Sequence, residues 1–511
     1  MLLSDAVTYT ARKHGAEAAL VYEGRTVTYE ELDRRVRQLA NAIAELAAPG
    51  DRVAILSENR PQYVECYYGV PRAGMGLCFL NYRLNPHELV RIVNDAEPTV
   101  LITEPEYLAT VDAIRAELPS VRHVVVMGGN GGPGDIDYDE MVAAASDAEP
   151  TVQVSDDALC WLIYTSGTTG MPKGAMLTHR NLLAAVANSA MGWDKKDHDT
   201  VLFPWPLCHV SGYVWPLSHL LGNTVVLMRA YSPEGWLEHV ERYRVTNATS
   251  APTMLNMLFQ HPRFGEYDLS TLRSVGYGAA AMPVEVLKRG MAKLPGVEFA
   301  TGFGMTELSG NIFSFNAQAH LDALAEDPER LSSVGQQMPY AVSRVVDDAM
   351  NDVKVGEVGE LVVQGPQVMS GYWRRPDAGE EAFHGGWFHT GDLAKWDELG
   401  NLYIVDRKKD MIITGGENVY SREVEEILYT HPAVAEAAVV GVPDETWGEN
   451  VVAVLQLKPG ANVEPAEIIA LCRDNLAGYK KPKQVVFVDE LPRNAAGKIL
   501  KRELRDQLRP T

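Results

Sequence analysis

The sequence of 511 residues lacks several features that mark particular protein classes. It has no run of about twenty apolar residues, and its N-terminus, MLLSDAVTYTARKHG, has no charged stretch followed by a sustained apolar one. We therefore expect neither a membrane span nor an export signal. The five cysteines form no C-x-x-C pair and no metal-ligand spacing, which predicts reduced thiols and a cytoplasmic location: Cys66, Cys78, Cys160, Cys208 and Cys472.

The sequence also lacks a net positive charge, tandem repeats and low-complexity segments. The formal net charge of −22 at pH 7 disfavours nonspecific binding to nucleic acid or to anionic membranes. With 46% hydrophobic and 22% charged residues, the composition is typical of a globular enzyme with a large core. The chain is long enough for more than one domain.

The most informative segment that is present spans residues 164–174 and reads YTSGTTGMPKG. An apolar run precedes it, so we expect a loop after a buried strand. The spacing does not fit a Walker P-loop, because Pro172 stands where the second glycine belongs. The segment predicts a different phosphate-binding loop, with a glycine-rich surface turn as the alternative. Its candidate donors are Thr165, Ser166, Gly167, Thr168, Thr169, Gly170 and Lys173.

Helical patterns alternate with short strands rich in Val, Ile and Leu over most of the chain. This alternation predicts a mixed α/β fold with layered, largely parallel sheets. Expected strands lie at 52–56, 99–103, 121–127, 201–203 and 224–228. Thr28 and Glu31 resemble a capping box before a helix with apolar positions at helical spacing.

The pattern changes towards the C-terminus. Short strands at 356–363 and 401–405 predict a small β subdomain that closes the large body. After the charged residues 406–409, a second α/β pattern begins, with strands at 411–413, 434–442 and 451–457 and helices at 421–428 and 465–475. We predict an N-terminal domain of residues 1–405, a hinge at 406–410 and a small mobile C-terminal domain of residues 411–511.

Several further polar segments follow in a fixed order: YGAAAMP at 277–283, TGFGMTE at 301–307, TGD at 390–392, DR at 406–407 and PRNAAGK at 492–498. Together they closely resemble the adenylate-forming superfamily of acyl-CoA synthetases, peptide adenylation domains and luciferases, over nearly the whole chain. The phrases MIITGGENVYSREVE and ELPRNAAGKILKRELR are most similar to fatty-acyl-CoA ligases. The resemblance implies that a carboxylate attacks the α-phosphate of Mg-ATP to give acyl-AMP, from which coenzyme A then displaces AMP.

The resemblance also implies roles for the nucleotide-binding groups. The phosphate loop would hold the leaving pyrophosphate, Glu307 would bind Mg²⁺, and Thr306 would reach the α-phosphate. Asp392 and Arg407 would hold the ribose, although a turn-capping role for Asp392 is the alternative. The adenine would lie between two segments, with Phe303 either stacking on the purine or packing in the core: Gly278, Ala279 and Ala280, and Gly302, Phe303, Gly304 and Met305.

The resemblance assigns two lysines in the C-terminal part of the chain to catalysis and to domain rotation. Lys498 would offset the negative charge that accumulates when a carboxylate attacks a phosphate. Lys409, two residues after Arg407, would be the point about which the C-terminal domain rotates, so that coenzyme A can reach the carbonyl. For both residues, and for Glu307, the alternative is an ordinary solvated side chain.

The sequence says less about which carboxylic acid is activated than about the nucleotide site. His209, in PLCHVSG, matches the family position that lines the acyl site and can gate the substrate carboxylate, with a purely structural histidine as the alternative. The absence of a carboxylate nearby disfavours an amino-acid substrate. Hydroxycinnamate ligases often carry tyrosine where this chain has Ser211, which weakens that subclass without excluding it. We expect a medium- or long-chain fatty acid, with aryl or branched acids second.

Other functions and partners stay open at this stage. A carrier protein in place of coenzyme A, a luciferase-like oxygenase and a catalytically silent scaffold are the alternatives. The scaffold is disfavoured because Lys173, Glu307, Asp392, Arg407 and Lys498 are all present. The expected partners are a small carboxylic acid, ATP and coenzyme A, without nucleic acid, and a homodimer is left open.

Overall fold

The computed structural model describes residues 1–129, 131–165, 172–192, 198–494 and 497–509. The first part of the chain contains, in order, α1 (Asp5–His14), β1 (Ala18–Tyr22), β2 (Arg25–Thr28), α2 (Tyr29–Ala44), β3 (Arg52–Leu56), α3 (Pro61–Arg72), β4 (Gly76–Leu80), α4 (Pro86–Ala96), β5 (Val100–Thr103), α5 (Pro105–Ile114), β6 (His123–Val126), β7 (Ile136–Asp137) and α6 (Tyr138–Ala144).

The middle part continues the alternation of strands and helices. It contains β8 (Leu159–Thr165), β9 (Lys173–Thr178), α7 (His179–Gly192), β10 (Thr200–Phe203), α8 (Val214–Leu220), β11 (Thr224–Leu227), α9 (Pro233–Tyr243), β12 (Asn247–Ser250), α10 (Pro252–Gln260), β13 (Ser274–Gly278), α11 (Val284–Lys293), β14 (Glu298–Met305), β15 (Gly310–Phe315), α12 (Ala317–Glu326) and β16 (Gln336–Gln337).

The last part is richer in antiparallel strands. It contains β17 (Val342–Val346), β18 (Gly359–Gln364), α13 (Pro376–Ala382), β19 (Phe383–His384), β20 (Trp387–Trp396), β21 (Leu402–Arg407), β22 (Ile412–Thr414), β23 (Glu417–Val419), α14 (Ser421–Tyr429), β24 (Val434–Asp444), β25 (Gly448–Leu457), α15 (Pro465–Asn475), β26 (Gln484–Val488) and α16 (Lys501–Leu508).

Two large sheets form the N-terminal body. One has nine strands in the order β16-β15-β14-β13-β12-β10-β11-β1-β2, and the other has seven in the order β7-β6-β5-β3-β4-β8-β9. The inner pairs are parallel, as in β12–β13 and β3–β4, whereas antiparallel pairs such as β8–β9 and β14–β15 lie towards the edges. The predicted α/β class and the largely parallel sheets are confirmed.

The helices fill the spaces between and outside these sheets. One core lies between the sheets and includes buried side chains of α2, α3, α7 and α8. Helices α9, α10 and α11 cover the outer face of the nine-stranded sheet, and α4 and α5 cover that of the seven-stranded sheet. The layered body therefore buries both faces of each sheet, as parallel strands require.

The last two sheets are small. Strands β17, β18, β19, β20 and β21 form an antiparallel sheet that contains both segments of the predicted β subdomain. Strands β22 to β26 form a separate sheet with its own cores, against α14 and α15 on one face and α16 on the other. Because this sheet and its helices have hydrophobic cores of their own, the C-terminal part is a domain.

Local signals in the sequence are visible in the elements they start. The Thr28 side chain accepts a hydrogen bond from the Glu31 N–H at 3.2 Å, which fixes the start of α2. All five cysteines are buried and unpaired. Among the described residues, no helix has both the length and the apolar character needed to cross a bilayer.

Candidate active site

The predicted phosphate loop joins β8 to β9, which form an antiparallel pair in which Thr165 lies opposite Lys173. The Thr165 Oγ1 donates to Glu307 Oε1 at 3.2 Å. The hairpin thus places its first hydroxyl beside the acidic residue assigned to the metal. The remaining candidate donors of the loop lie outside the described residues: Ser166, Gly167, Thr168, Thr169 and Gly170.

Glu307 lies in a short 3-10 turn, Thr306–Leu308, that directly follows β14. The backbone N–H of Met369 donates to the Glu307 carbonyl at 2.8 Å. The Tyr372 hydroxyl donates to Glu307 Oε1 at 3.1 Å, so that oxygen accepts from both Thr165 and Tyr372. Two donors on one oxygen fix the rotamer of the carboxylate.

Tyr372 is a site residue that the sequence analysis did not single out. Its ring lies near the Lys173 ammonium, with Nζ 5.2 Å from the ring centroid, which is a cation–π distance. Burial and the Glu307 charge raise the pKa of this phenol, so it stays a neutral donor. Tyr372 therefore contacts the phosphate loop exit and Glu307 at once. No motif spacing in the sequence marks it, because the contact spans 65 residues.

Asp392 and Arg407 lie opposite each other on β20 and β21. The Arg407 Nε is 2.6 Å from Asp392 Oδ1. The other carboxylate oxygen, Oδ2, is buried without a hydrogen-bond partner among the described residues. A buried anionic oxygen without a partner is costly, and the hydroxyls of a ribose are suitable donors for it.

The pKa of Asp392 is unusual for a carboxyl group. Burial raises it from 3.8 to about 6, against the opposing effect of the Arg407 and Lys498 charges. Burial dominates because the side chain is only 3% exposed. The protein therefore holds this carboxylate in an environment that is unfavourable for an anion.

The proposed adenine walls come from the ends of two neighbouring parallel strands, β13 and β14, where Gly278 lies opposite Gly302. Ala279 has a φ of +67°, an uncommon backbone conformation for a residue with a side chain, and Ala279 and Ala280 are exposed. At Gly304 a Cβ would lie 1.9 Å from the Gly310 carbonyl oxygen, so only glycine fits there.

The aromatic residue on this wall has two sets of neighbours. Phe303 is half-buried, and its ring meets Phe313 edge-on with centroids 6.1 Å apart. It therefore takes part in core packing, the alternative weighed for it, while part of its surface stays accessible. Met305 and Thr306 follow it and are also half-buried.

Lys498 enters the same region from the C-terminal domain. Gly497, with a φ of +80°, precedes it, and the Lys498 N–H donates to Asn494 Oδ1 at 2.9 Å. Reduced hydration and then the Arg407 charge lower the pKa of the Lys498 ammonium, while Glu307 and Asp392 act in the opposite direction. The side chain is nevertheless exposed, so the cleft around it is open to water.

The predicted hinge connects β21 to β22. Strand β21 continues through Arg407, so residues 408–411 form the connection between the two strands, and Lys409 is exposed within it. Asp406 Oδ2 accepts from the Ser421 N–H at 2.5 Å and from its hydroxyl at 2.8 Å. The Arg422 guanidinium donates to the Ile404 carbonyl at 2.7 Å. These three bonds span the connection.

His209 lies at the N-terminal end of a 3-10 turn, Val210–Tyr213, and is half-buried. Burial and the nearby charges of Arg83 and Lys498 lower its pKa to about 4, so the imidazole is neutral at pH 7. The Ser211 hydroxyl, two residues further on, is buried and has no hydrogen-bond partner among the described residues. The Lys498 charge thus acts on the pKa of His209 as well as on that of Asp392.

Known proteins are similar to this chain over nearly its whole length. The sequence profile of the AMP-binding enzyme family matches residues 7–373, and that of the AMP-binding enzyme C-terminal domain matches residues 423–498. A feruloyl-CoA synthase from an Amycolatopsis species is 40% identical over 97% of this chain and 96% of its own length. A long-chain-fatty-acid–CoA ligase from Salmonella typhimurium is 35% identical over 99% of this chain and 94% of its own.

A solved structure resembles the fold equally closely. The amide bond synthetase McbA from Marinactinospora thermotolerans superimposes with a TM-score of 0.90 at 31% identity, over 99% of this chain and 100% of its own. The fold and the site define an adenylate-forming enzyme. The chain belongs to the AMP-binding enzyme family, and by class it is an ATP-dependent, AMP-forming acyl-CoA synthetase.

Proposed function

We propose that the protein joins an aromatic carboxylic acid with a polar ring substituent to coenzyme A through an acyl-AMP intermediate. The observation that supports the reaction is the Arg407–Asp392 contact of 2.6 Å, together with the effect of the Glu307, Asp392 and Arg407 charges on the pKa of Lys498, which comes from the other domain. In this proposal the aromatic acid replaces the medium- or long-chain fatty acid as the leading substrate.

Two observations favour the aromatic acid. The feruloyl-CoA synthase is more similar to this chain than the long-chain-fatty-acid–CoA ligase, at 40% against 35% identity. Ser211 replaces the tyrosine common in hydroxycinnamate ligases, but its buried hydroxyl has no hydrogen-bond partner among the described residues, and a phenolic or methoxy oxygen that reached it would satisfy it. The neutral His209 would line the same pocket by contact rather than by charge.

In the first half reaction, the substrate carboxylate attacks the α-phosphorus and pyrophosphate leaves. Asp392 would accept both ribose hydroxyls, with Oδ2 as the oxygen that now has no partner among the described residues. Arg407, fixed by Asp392, would donate from the other side. Lys498 would neutralise negative charge on the attacking carboxylate and on the phosphate. Electrostatic stabilisation of this kind is usually the largest single contribution to catalysis.

The residues at Glu307 fit a magnesium ion. A carboxylate and a nearby threonine hydroxyl are hard oxygen ligands, which Mg²⁺ prefers together with phosphate oxygens. Mg²⁺ would neutralise the phosphates when bound. Thr165 and Tyr372 would hold Glu307 in place, and Lys173 would add a positive charge at the pyrophosphate end.

In the second half reaction, the thiol must reach a carbonyl that Lys498 covered during the first. Rotation of the C-terminal domain about Lys409 would clear that approach. Because Asp406 and Ser421 lie on opposite sides of Lys409, their hydrogen bonds would break on rotation. The arrangement described here would therefore be the one that forms acyl-AMP.

A second candidate substrate is a long-chain fatty acid. It is supported by the Salmonella typhimurium ligase, which aligns over 99% of this chain. Both substrates require the same groups for ATP and differ only in the acyl pocket. A carrier protein as acceptor is the remaining alternative to coenzyme A.

The test is a pyrophosphate-release screen with the purified chain, ATP and Mg²⁺. Ferulate, unsubstituted cinnamate, indoleacetate, octanoate and palmitate are compared with and without coenzyme A, and thioesters are identified by mass. We expect ferulate to have the highest kcat/KM. The Ser211→Ala variant should reduce the preference for ferulate over cinnamate by about tenfold, the effect of one hydrogen bond to a buried group. A higher kcat/KM for palmitate than for every aromatic acid would overturn the proposal.

A further inference from the structure

A cluster of metal-ligating side chains lies outside the active site. His14, the last residue of α1, and Glu17, three residues later, meet His198, which precedes β10. One ligand atom from each residue lies within 4.8 Å of the other two. None of the three takes part in the proposed reaction.

The carboxylate of Glu17 connects the two imidazoles. Glu17 Oε1 is 2.9 Å from His14 Nδ1, and Glu17 Oε2 is 3.1 Å from His198 Nδ1. The two rings meet edge-on, with centroids 5.2 Å apart. Both nitrogens therefore face the same carboxylate, from segments that are 181 residues apart in the chain.

The backbone at His198 is adapted to this position. Its φ of +60° is uncommon for a residue other than glycine, and its N–H donates to the Leu221 carbonyl at 3.4 Å. The His198 ring lies against Gly222, where a Cβ would be 3.5 Å from the ring. This backbone directs the imidazole towards Glu17.

We propose that His14, Glu17 and His198 bind a divalent transition-metal ion, with Zn²⁺ preferred over Mg²⁺ and Ca²⁺. Two imidazoles and one carboxylate suit zinc, whereas magnesium and calcium prefer sites made of oxygen only. Ligand atoms about 2.1 Å from a tetrahedral ion lie about 3.4 Å apart. The contacts of 2.9 and 3.1 Å, which involve the two different oxygens of Glu17, would open by a few tenths of an ångström. The other separations between ligand atoms, all within 4.8 Å, would adjust to the same distance.

The exposure of the cluster determines how the metal ion would be coordinated and how strongly it would bind. His14, Glu17 and His198 are 36%, 46% and 53% exposed, so water would complete the coordination shell. A site with three protein ligands at the surface binds more weakly than a closed four-ligand site. Bound Zn²⁺ would connect the end of α1 to the segment before β10.

The ordinary alternative is that Glu17 bridges the two imidazoles without any metal. Such a bridge binds no Zn²⁺, whereas a metal site binds it with a defined stoichiometry that depends on each ligand. Direct binding measurements on the wild type and on single-ligand variants therefore separate the two interpretations.

The primary test is direct binding to the folded full-length chain. The five cysteines are buried in the folded protein but would bind Zn²⁺ in the unfolded chain. Zn²⁺ would then stabilise both states, and a thermal-shift assay would underestimate its binding to the folded protein. The protein is treated with chelator, dialysed and titrated with Zn²⁺, Co²⁺ and Mg²⁺ by calorimetry. We expect one Zn²⁺ per chain, no heat with Mg²⁺, and a Co²⁺ spectrum without sulfur-to-metal charge transfer.

Three variants and a control locate the site. Expected results are an at least tenfold weaker Zn²⁺ affinity for His14→Gln, Glu17→Gln and His198→Gln, and an unchanged affinity for His87→Gln, an exposed histidine on α4. Circular dichroism of the chelator-treated variants checks that each is folded. Failure of the wild type to bind Zn²⁺, or equal binding by the wild type and His198→Gln, would overturn the proposal. Activity is not measured, so this test is independent of the proposed reaction.

Discussion

The N-terminal body and the C-terminal domain hold their proposed active-site residues in different ways. Asp392 and Arg407 face each other across paired strands with a contact of 2.6 Å, and Glu307 accepts two hydrogen bonds on one oxygen. Lys498 instead follows a glycine in a loop and is exposed. The groups proposed to bind the nucleotide are held by paired strands and hydrogen bonds. The group assigned to the chemical step lies instead in a domain that the proposal requires to move.

The largest effect should come from the residue on the movable side. Lys498→Ala should reduce acyl-AMP formation by about two to three orders of magnitude, because it removes the cation assigned to the charge that develops between the attacking carboxylate and the α-phosphate. Thioester formation from supplied acyl-AMP should be nearly unchanged. Pyrophosphate release and thioester formation are measured separately.

The matched control for this change is Lys458→Ala. Lys458 lies in the same domain and donates to the Pro432 carbonyl at 2.6 Å, away from the cleft. It should leave both half reactions within about twofold. Equal losses in the two half reactions of Lys498→Ala would contradict its assignment to the first step.

The second effect tests whether movement itself matters. Lys409→Pro restricts the backbone of the connection and should slow the thiol step by about a hundredfold, with a smaller effect on adenylation. Lys409→Ala removes the same side chain without this restriction and serves as the control. Stopped-flow measurements of AMP release and single-turnover acyl-AMP formation give the two rates. A similar loss in Lys409→Ala would mean that the side chain, rather than the rotation, is needed.

A third, smaller effect concerns the fixed side. Tyr372→Phe removes the hydroxyl that donates to Glu307 at 3.1 Å but keeps the ring near Lys173. We expect the Mg²⁺ concentration for half-maximal activity to rise about tenfold, the cost of one hydrogen bond to a charged group, with a much smaller change in kcat. Magnesium titrations at saturating ATP and acid provide the measurement.

Tyr403→Phe is the control for that variant. Its hydroxyl donates to Asp397 at 3.1 Å in the β subdomain, so the chemical change is identical but lies outside the site. This variant should keep the wild-type magnesium dependence. If both tyrosine variants shift the titration equally, Tyr372 has no special role at Glu307.

The smallest effect is a pH dependence from Asp392. Its pKa of about 6 means that protonation weakens ribose binding on the acid side, and kcat/KM for ATP should fall about fourfold from about pH 7 to about pH 5.5. Because the folded pKa is higher than 3.8, this group's contribution to stability falls as pH rises from about 4 to about 6. Asp392→Asn should have a low kcat/KM for ATP, and the pH profile of this variant should reflect only the ionisation of ATP. A wild-type profile identical in shape to that of the variant would exclude the assignment.

Local parts of the fold could be predicted from the sequence because the signals are local. The cap at Thr28, the strand at 52–56 and the helix at 465–475 depend on residues that are close in the chain. The first and last residues of strands are harder to predict from the sequence. Hydrogen bonding to a neighbouring strand can extend a strand beyond its apolar residues. Residues 411–413 were expected as a strand that the structure places at Ile412–Thr414, and 451–457 extends back to Gly448.

The order of the motifs was sufficient to identify the superfamily and the α/β class, and the candidate residues were chosen by their resemblance to known motifs. Contacts between distant segments could not be found in this way. Tyr372 meets Glu307, and His198 meets Glu17, only because strands and helices from different parts of the chain pack together. The sequence alone thus determined which chemical groups are available and where strands and helices begin. Tertiary structure decided which groups share a cleft and which carboxylate is buried, because burial and distance depend on the packing of the whole chain.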